Sequence, residues 1–242
     1  MQPKPPATTI NLETLNLPLG PEHPCPYIDG YVAQERACRV TTLGGGIYHK
    51  LMDHGWRRSG HILYKPFCPG CNQCQAIRIP VARFSPSKSK RRILKKNADI
   101  RTNLCVPATS DEKFELFVRY QKGRHDGTMC TVREDYEEFL YKSPLKTVEM
   151  EFHLEGRLIG SAIMDFDDKT LSAVYNYFDH TLRDRSLGTF AILKSIELAR
   201  DRRDEYYYMG YYIENSDKMT YKKLFKPSEI LCNHKIWRDF NA

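Results

Sequence analysis

The sequence predicts an α+β protein, with a mixed β-sheet domain preceded by a smaller, basic region that carries cysteines. Three observations predict it. From Arg101 onward, alternating apolar residues mark strands and 3.6-residue periodicity marks helices, in the order β-α-α-β-β-β-α-β-α-β. Three consecutive strands joined by short turns, followed by strand–helix crossovers, give a mixed sheet rather than a sandwich. Before Arg101 the pattern is irregular and the charge is lopsided: Arg57 to Arg101 holds twelve Lys/Arg against one acid, Asp99. That segment carries +11 against +7 for the whole 242-residue chain, so the remainder is acidic. A boundary is therefore expected near residue 100, between an N-terminal region (1–100) and a C-terminal domain (101–242).

The N-terminal elements are short. Pro18, Gly20, Pro21, Pro24 and Pro26 make Leu17 to Tyr27 a bent, extended segment with Cys25 inside it. Gly44-Gly45-Gly46 is a turn, and Ile47 to His54 a short helix ended by Gly55. His61 to Tyr64 and Ala76 to Val81 are short strands on either side of the loop Cys68-x-x-Cys71-x-x-Cys74. Ser85 to Asn97 holds the densest charge, Lys88, Lys90, Arg91, Arg92, Lys95 and Lys96, with no element assigned to it.

The C-terminal pattern is regular. Arg101 to Val106 is a strand. Thr109 with Glu112 forms a capping box for a helix reaching about Gly123, and Thr131 with Glu134 opens another that stops before Pro144. Val148, Met150, Phe152 and Leu154 alternate as a half-buried strand, which Glu155-Gly156 turns into a second, Leu158 to Met164. Asp165 to Lys169 turns again into Leu171 to Phe178. The best helix follows, about Ser186 to Arg202, with Thr189, Ile192, Leu193, Ile196 and Ala199 on one face. Tyr206 to Ile213 is a strand, Asp217 to Phe225 a helix, and Ile230, Cys232, His234 and Ile236 alternate as a final strand.

Composition excludes several classes. A hydrophobic fraction of 41% with 12% aromatics belongs to a folded chain rather than a disordered one. No apolar run approaches the roughly 20 residues of a membrane span, and the first residues lack the apolar stretch of a signal peptide. The expected compartment is the cytoplasm, where eight cysteines read as metal ligands or buried thiols before disulfides.

Four stretches can carry chemistry. The basic segment suits a polyanion, because Lys/Arg bind phosphates and release counterions; nucleic acid is the leading partner over a merely solvated face. Cys68, Cys71 and Cys74 lie close enough in a Pro/Gly loop to face one point, and Cys25 is the best fourth ligand for a zinc or iron–sulfur centre. Arg57, Arg58, Lys65 and Arg78 would favour the thiolates; unligated thiols are the alternative. Cys38, Cys105, Cys130 and Cys232 lack such spacing. The helix start Arg183-Asp184-Arg185-Ser186-Leu187-Gly188 offers backbone N–H groups and arginines to an anion such as phosphate, or is simply a helix start. Tyr120 to Met129 gives a polar loop with His125, and Tyr206 to Tyr212 puts aromatics on both faces of one strand, one of them able to stack on a base.

The order of elements over Arg101 to Ala242 resembles the GNAT acyltransferase fold. The resemblance implies two middle strands that splay apart, with the acyl donor against the helix after the first of them. In acyl-CoA-dependent members the helix start reads Gln/Arg-x-x-Gly-x-Gly/Ala. Here Arg185-x-x-Gly188 matches, but Phe190 fills the last small position, which argues against ordinary CoA.

Longer motifs resemble a more specific family. They are His23-Pro24-Cys25-x-Tyr27, Gly55-Trp56-Arg57-Arg58-Ser59-Gly60 and Leu63-Tyr64-Lys65-Pro66-x-Cys68-x-x-Cys71-x-x-Cys74. Arg78-Ile79-Pro80-Val81-x-x-Phe84-x-Pro86-Ser87-x-Ser89-x-Arg91-Arg92 and Arg124-His125-x-Gly127-x-Met129 continue the match. Leu171-Ser172-Ala173-Val174-Tyr175-x-x-Phe178-Asp179, Arg185 to Phe190, Gly210-Tyr211 and Ser216-x-Lys218-Met219-x-Tyr221-Lys222 complete it. Together they resemble the aminoacyl-tRNA–protein transferases, in their short bacterial branch of aspartate/glutamate leucyltransferases. Lys65, Lys88 and Lys226 depart from the family's Arg, and the first two lose bidentate phosphate geometry.

The resemblance implies transfer of leucine from Leu-tRNA to the N-terminal Asp or Glu of an acceptor protein, which marks it for degradation. The tRNA ester is already activated, so no nucleotide cofactor is implied. An α-amine with pKa roughly 7.7–8.0 is a competent nucleophile once placed and deprotonated. Asp179, Tyr175 and Tyr211 are candidates for proton transfer and positioning. Arg57, Arg78 and Lys218 are candidates for pairing the acceptor's acid, and Lys88, Arg91, Arg92, Arg185, Ser186 and Gly188 for holding tRNA. The aromatic strand Tyr206 to Tyr212, with Phe178, Phe190 and Met209, can wall an apolar leucyl pocket. An arginyl donor with the same acceptors is the nearest alternative; a non-catalytic metal-dependent RNA-binding protein and a CoA-dependent acetyltransferase are more distant ones.

Overall fold

A computed structural model describes residues 17–124, 132–233 and 236–240. The N-terminal region starts with two-residue strands β1 (His23–Pro24) and β2 (Val32–Ala33), paired antiparallel across the proline-rich bend. A small antiparallel sheet follows in the order β3-β5-β4, from β3 (Glu35–Arg39), β4 (Arg57–Ser59) and β5 (Ile62–Pro66). The helix α1 (Ile47–Asp53) lies between β3 and β4 in sequence. Strand β6 (Gln75–Pro80) then leaves this region, followed by α2 (Lys88–Lys96), β7 (Arg101–Cys105), α3 (Asp111–Arg124) and α4 (Arg133–Leu140). The remaining elements are β8 (Lys146–Leu154), β9 (Arg157–Asp167), β10 (Thr170–Phe178), α5 (Leu187–Asp201), β11 (Tyr206–Tyr212), β12 (Glu229–Cys232) and β13 (Ile236–Asp239).

Eight strands make one mixed sheet in the order β13-β12-β6-β11-β10-β9-β8-β7. The antiparallel meander from β8 to β10 and the α5 crossover to a parallel β11 follow from the alternation and helical period of the sequence. Strand β6, from the basic region, pairs with both β11 and β12. The boundary expected near residue 100 therefore does not coincide with an edge of the sheet.

Alternation along the strands sorts two faces. Ala162, Met164 and Tyr207 pack with Phe190, Ile192, Leu193 and Ile196 of α5 on one face. On the other, Ile163 joins Leu116 and Phe117 of α3 and Tyr136 and Leu140 of α4, while Tyr208 joins Tyr48, Leu51 and Met52 of α1 with Trp56 and Leu63. Each such buried side chain contributes about 1.5–3 kcal/mol against an exposed reference. Helix α1 has no side-chain cap of its own; Asp167 of β9 accepts from the Gly46 and His49 N–H groups at 2.7 and 2.8 Å. That carboxylate fastens the small region to the large sheet.

Several local expectations shift. The charged stretch is a helix, α2, because Ser87 caps it at the Lys90 N–H while Ile93 and Leu94 face the core. Ser110 rather than Thr109 caps α3, accepting from the Lys113 N–H. The segment expected as a helix at Asp217–Phe225 is a 3-10 turn, Thr220–Leu224. The final strand is two, β12 and β13, paired antiparallel. Thr131, Cys130, His125 and His234 lie outside the described residues. Among the described residues no helix is long and apolar enough to cross a membrane.

Candidate active site at the splayed strands

Strands β10 and β11 pair over three positions only, Thr170–Ser172 with Tyr206–Tyr208. Beyond them β10 continues along β9 while β11 continues along β6 through a register shift between Tyr208 and Tyr211. Gly210, inside that shift, has φ +90°, a conformation that side chains other than glycine's resist. The two strands part there. Such a parting of two middle strands is what the resemblance to the GNAT acyltransferase fold implies.

Two adjacent arginines of β4 reach the sheet at this point and meet different fates. Arg58 forms a bidentate pair with Asp165 of β9, Nε–Oδ2 at 2.5 Å and Nη2–Oδ1 at 2.7 Å, with Thr147 Oγ1 donating to the same carboxylate. Both side chains are fully buried. Arg57 is equally buried, at 4% exposure, yet it donates only from Nη1, to Ser172 Oγ at 3.2 Å. Its Nε and Nη2 are buried with no hydrogen-bond partner, and it makes no ion pair among the described residues.

A second cation meets it. Lys222, in the 3-10 turn, points Nζ inward to the Tyr211 carbonyl at 2.5 Å and to Met219 Sδ at 3.3 Å. A Cβ added to Gly210 would stand 3.4 Å from Lys222 Nζ and 3.9 Å from Arg57 Nη2, so both cations converge on one glycine. Burial, then the neighbouring Arg57, push the Lys222 pKa down to about 7, with Cys74 a smaller opposing influence. A neutral amine has two N–H groups, which those two acceptors satisfy; the protonated form has a third, left for an anion. Tyr48, Tyr64 and Tyr211 wall the same place; burial raises all three, Tyr48 to about 12, and Arg57 acts on each in the opposite sense.

The other candidates fall around this point or away from it. Arg78 is clamped by Asp53, Glu229 and the Tyr208 hydroxyl, and its guanidinium lies 3.7 and 4.0 Å from the rings of Tyr206 and Trp237. It is thereby a structural cross-link. Lys218 is exposed. Tyr211 donates its hydroxyl to the Gly55 carbonyl at 2.6 Å, and burial holds its pKa well above the ordinary phenol. Tyr175 accepts from Gln121 Nε2 at 2.9 Å, and Gln121 Oε1 is left buried without a partner. Asp179 closes the turn after β10: it accepts from Thr181 N, Thr181 Oγ1 and Arg157. Burial pushes its pKa up, but those donors outweigh it and hold it low.

At the start of α5, Ser186 is exposed with φ 52° and Arg185 pairs both Nη groups with Asp99. Gly188 makes room for Phe178, whose ring a Cβ would approach to 3.1 Å. Phe190 and Met209, expected in pocket walls, are buried in the main core. Lys88, Arg91 and Arg92 are exposed along α2, whereas Lys90 is buried. Sequence reasoning passed over Lys222 in favour of Lys218; its place four residues from Lys218 on a tight turn was the available signal.

The cysteines gather beside this site. Cys25, Cys68, Cys71 and Cys74 are half-buried free thiols. Burial and then the neighbouring Cys68, Cys25 and Cys71 push the Cys74 thiol up to about 12. Cys74 also packs against the cluster holding Tyr211, with Tyr64. Thiols are the donors a thiophilic metal takes, but these four are not a group whose donor atoms all lie within 4.8 Å of one another, so the expected convergence on one point is not seen. Among the described residues, the group whose donor atoms lie within 4.8 Å of one another is a different one: Cys105, Glu149 and Glu151. Lys113 Nζ bonds both of those carboxylates, at 2.7 and 2.8 Å, which makes them an ion-pair cluster.

The mixed sheet thus opens between β10 and β11, two buried basic side chains meet at Gly210 within that opening, and α2 carries a row of exposed cations. Comparison with known proteins is more specific. Residues 23–92 match the N-terminal and residues 112–232 the C-terminal part of the arginine-tRNA-protein transferase family. The chain is 40% identical to the aspartate/glutamate leucyltransferase of Pseudoalteromonas atlantica, over 88% of this chain and 92% of that one. It is 43% identical to that of Pseudomonas putida KT2440, over 89% and 94%. A solved structure of FemX superposes with a TM-score of 0.47 at 11% identity, over 77% of this chain and 65% of that one. The chain belongs to the aspartate/glutamate leucyltransferase family.

Proposed function

We infer that the protein transfers leucine from Leu-tRNA to the N-terminal Asp or Glu of acceptor proteins, and that Arg57 and Lys222 receive the acceptor's side-chain carboxylate at Gly210. The observation that carries the second part is the unpaired, buried guanidinium. An uncompensated buried charge costs several kcal/mol, and a ligand carboxylate would satisfy Nε and Nη2 and complete a charge-assisted pair. The acceptor amine attacks the ester carbonyl carbon, the 3′ oxygen of the tRNA leaves with a proton, and an amide bond remains. Tyr175, held by Gln121, is the candidate that positions the amine. The exposed cations Lys88, Arg91 and Arg92, with Arg185, Ser186 and Gly188 at the start of α5, are proposed to hold tRNA phosphates.

Cys25, Cys68, Cys71 and Cys74 are proposed to hold a zinc ion or an iron–sulfur centre. Such a centre would supply a cation for the Cys74 thiolate, which burial disfavours, and would cross-link β1–β2 to the loop before β6. Metal analysis of protein purified without chelator tests this; metal-free protein with four reactive thiols would end the proposal.

The function is tested with labelled Leu-tRNA and peptides that begin with Asp, Glu, Asn or Lys. Label should enter the Asp and Glu peptides and not the Lys peptide. Transfer from Arg-tRNA with none from Leu-tRNA would overturn the donor. An Arg57→Met variant should lose the preference for Asp over the isosteric Asn; an unchanged preference would remove Arg57 from the acceptor site.

A further inference from the structure

Lys90 is the one cation of α2 that is buried. Its ammonium donates to the Leu224 carbonyl and lies 4.8 Å from the Phe225 ring centroid. It makes no ion pair among the described residues, and burial pulls its pKa down. A cation placed there at the expense of its hydration grips a carbonyl at the end of the 3-10 turn Thr220–Leu224, where carbonyls lack partners within the turn and attract positive charge. Phe225, the next residue, is 2% exposed and anchors the same chain in the core. Lys222, two residues before Leu224, is the residue whose Nζ reaches the Tyr211 carbonyl beside Gly210.

Helix α2 is also fixed at its far end. Asn97, 1% exposed, donates to the Arg185 carbonyl at 2.8 Å, and Asp99 pairs with the Arg185 guanidinium. One helix thus holds the turn that carries Lys222 and the loop that starts α5, while its remaining cations face outward.

We propose that Lys90 is a positioning residue for the acceptor site: its grip on the Leu224 carbonyl holds the 3-10 turn so that Lys222 points to Gly210 beside Arg57. This rests on the reading of Lys222 as a carboxylate partner. Lys90 therefore differs in kind from Lys88, Arg91 and Arg92, although the sequence presents all four as one basic run.

A double-mutant cycle tests it, with the KM of an Asp-peptide, kcat, the KM of Leu-tRNA and midpoint denaturation as readouts. Lys90→Met keeps the aliphatic stem and removes the ammonium. It should raise the acceptor KM about tenfold, the size expected for losing a charge-assisted hydrogen bond. The KM of Leu-tRNA and its salt dependence should stay near wild type. Lys90→Arg, which retains a donor, should recover most of the loss. Lys222→Met should raise the acceptor KM by itself, and adding Lys90→Met to it should change that KM no further. If Lys222→Met leaves the acceptor KM unchanged, the carboxylate reading of Lys222 is wrong. If Lys222→Met raises it while Lys90→Met does not, or if the two effects multiply, the strut is wrong and the carboxylate reading stands. Should Lys90→Met be too unstable to assay, acetylation of Lys222 by a short reagent pulse in wild type and Lys90→Gln gives a second reading. Lys222 should label faster in Lys90→Gln, whose shorter side chain withdraws from the Leu224 carbonyl, and equal protection in the two proteins would overturn the proposal.

Discussion

Arg57 and Arg58 are neighbours on β4 and equally removed from solvent, yet only one has a counter-charge. Arg58 meets Asp165 with two parallel hydrogen bonds, and Thr147 completes the carboxylate. Arg57 meets a serine hydroxyl and approaches Lys222 at Gly210, with two donors left over. The first arrangement is finished as it stands and ties the small sheet to the large one. The second is incomplete without an anion. A buried charge that the fold leaves unpaired is a ligand site in waiting, because its desolvation has already happened and the partner alone is missing.

That contrast predicts opposite responses to one substitution. Arg58→Met leaves Asp165 buried without its partner and should destabilise the protein by about 3–5 kcal/mol. Arg57→Met removes a charge that nothing pairs, so stability should hold within about 1 kcal/mol or rise. Urea denaturation of the two variants side by side decides it. Equal losses would mean that Arg57 is as structural as Arg58.

Activity should reverse the ranking. In Arg57→Met, kcat/KM for an Asp-peptide should fall about 10²-fold, equivalent to the roughly 2–3 kcal/mol of a charge-assisted hydrogen bond lost to substrate. Any Arg58→Met protein that remains folded should bind acceptor with its preference for Asp over Asn intact. Steady-state kinetics with both peptides measures the split.

How much of this was legible in the sequence follows from the range of each interaction. The meander, the α5 crossover and the splay rest on local alternation and helical period, so Val148 to Phe152 and Ile192 to Ala199 signal them directly. Helix α2 was hidden because six cations mask Ile93 and Leu94, and its cap is a single serine. The place of β6 in the large sheet depends on pairing with β11 and β12, more than 120 residues away in the chain, which no local pattern records. The same holds inside the site. Arg57, Arg58 and Arg78 are chemically identical in the sequence, and Asp165, Glu229 and Asp53, brought in from other elements, separate the paired from the unpaired. Lys222 differs from Lys218 by one turn of chain, and that turn decides which amine faces inward.

Lys222 sharpens the comparison through pH. Its ordinary pKa is 10.5, and in the fold it is held at about 7, by burial first and Arg57 second. Between those values the unfolded chain carries a proton that the folded chain lacks, so stability rises with pH across that window and is flat below it. The stability of wild type relative to Lys222→Met should climb by roughly 1–2 kcal/mol between pH 7 and 8.5. A difference independent of pH would show Lys222 to be protonated throughout and paired by something other than its two acceptors.

The smallest expected effect separates the cations of α2. Lys88, Arg91 and Arg92 are exposed, so their contribution to tRNA binding acts through phosphates and counterion release. Each contact removed should flatten the plot of log affinity against log salt by about 0.7–0.9, close to a threefold change between 50 and 200 mM salt. A Lys88→Gln/Arg91→Gln/Arg92→Gln variant should therefore lose about 2–3 units of slope, measured with non-hydrolysable Leu-tRNA. Lys90→Met should lose none, because its ammonium already has the Leu224 carbonyl and is screened from solvent by its own burial. A slope that drops by a full contact in Lys90→Met would place that amine on a phosphate and return all four residues to a single electrostatic role. A slope unchanged in the triple variant would move the tRNA footprint to the start of α5, where Arg183 stands exposed and Arg185 would have to exchange Asp99 for phosphate.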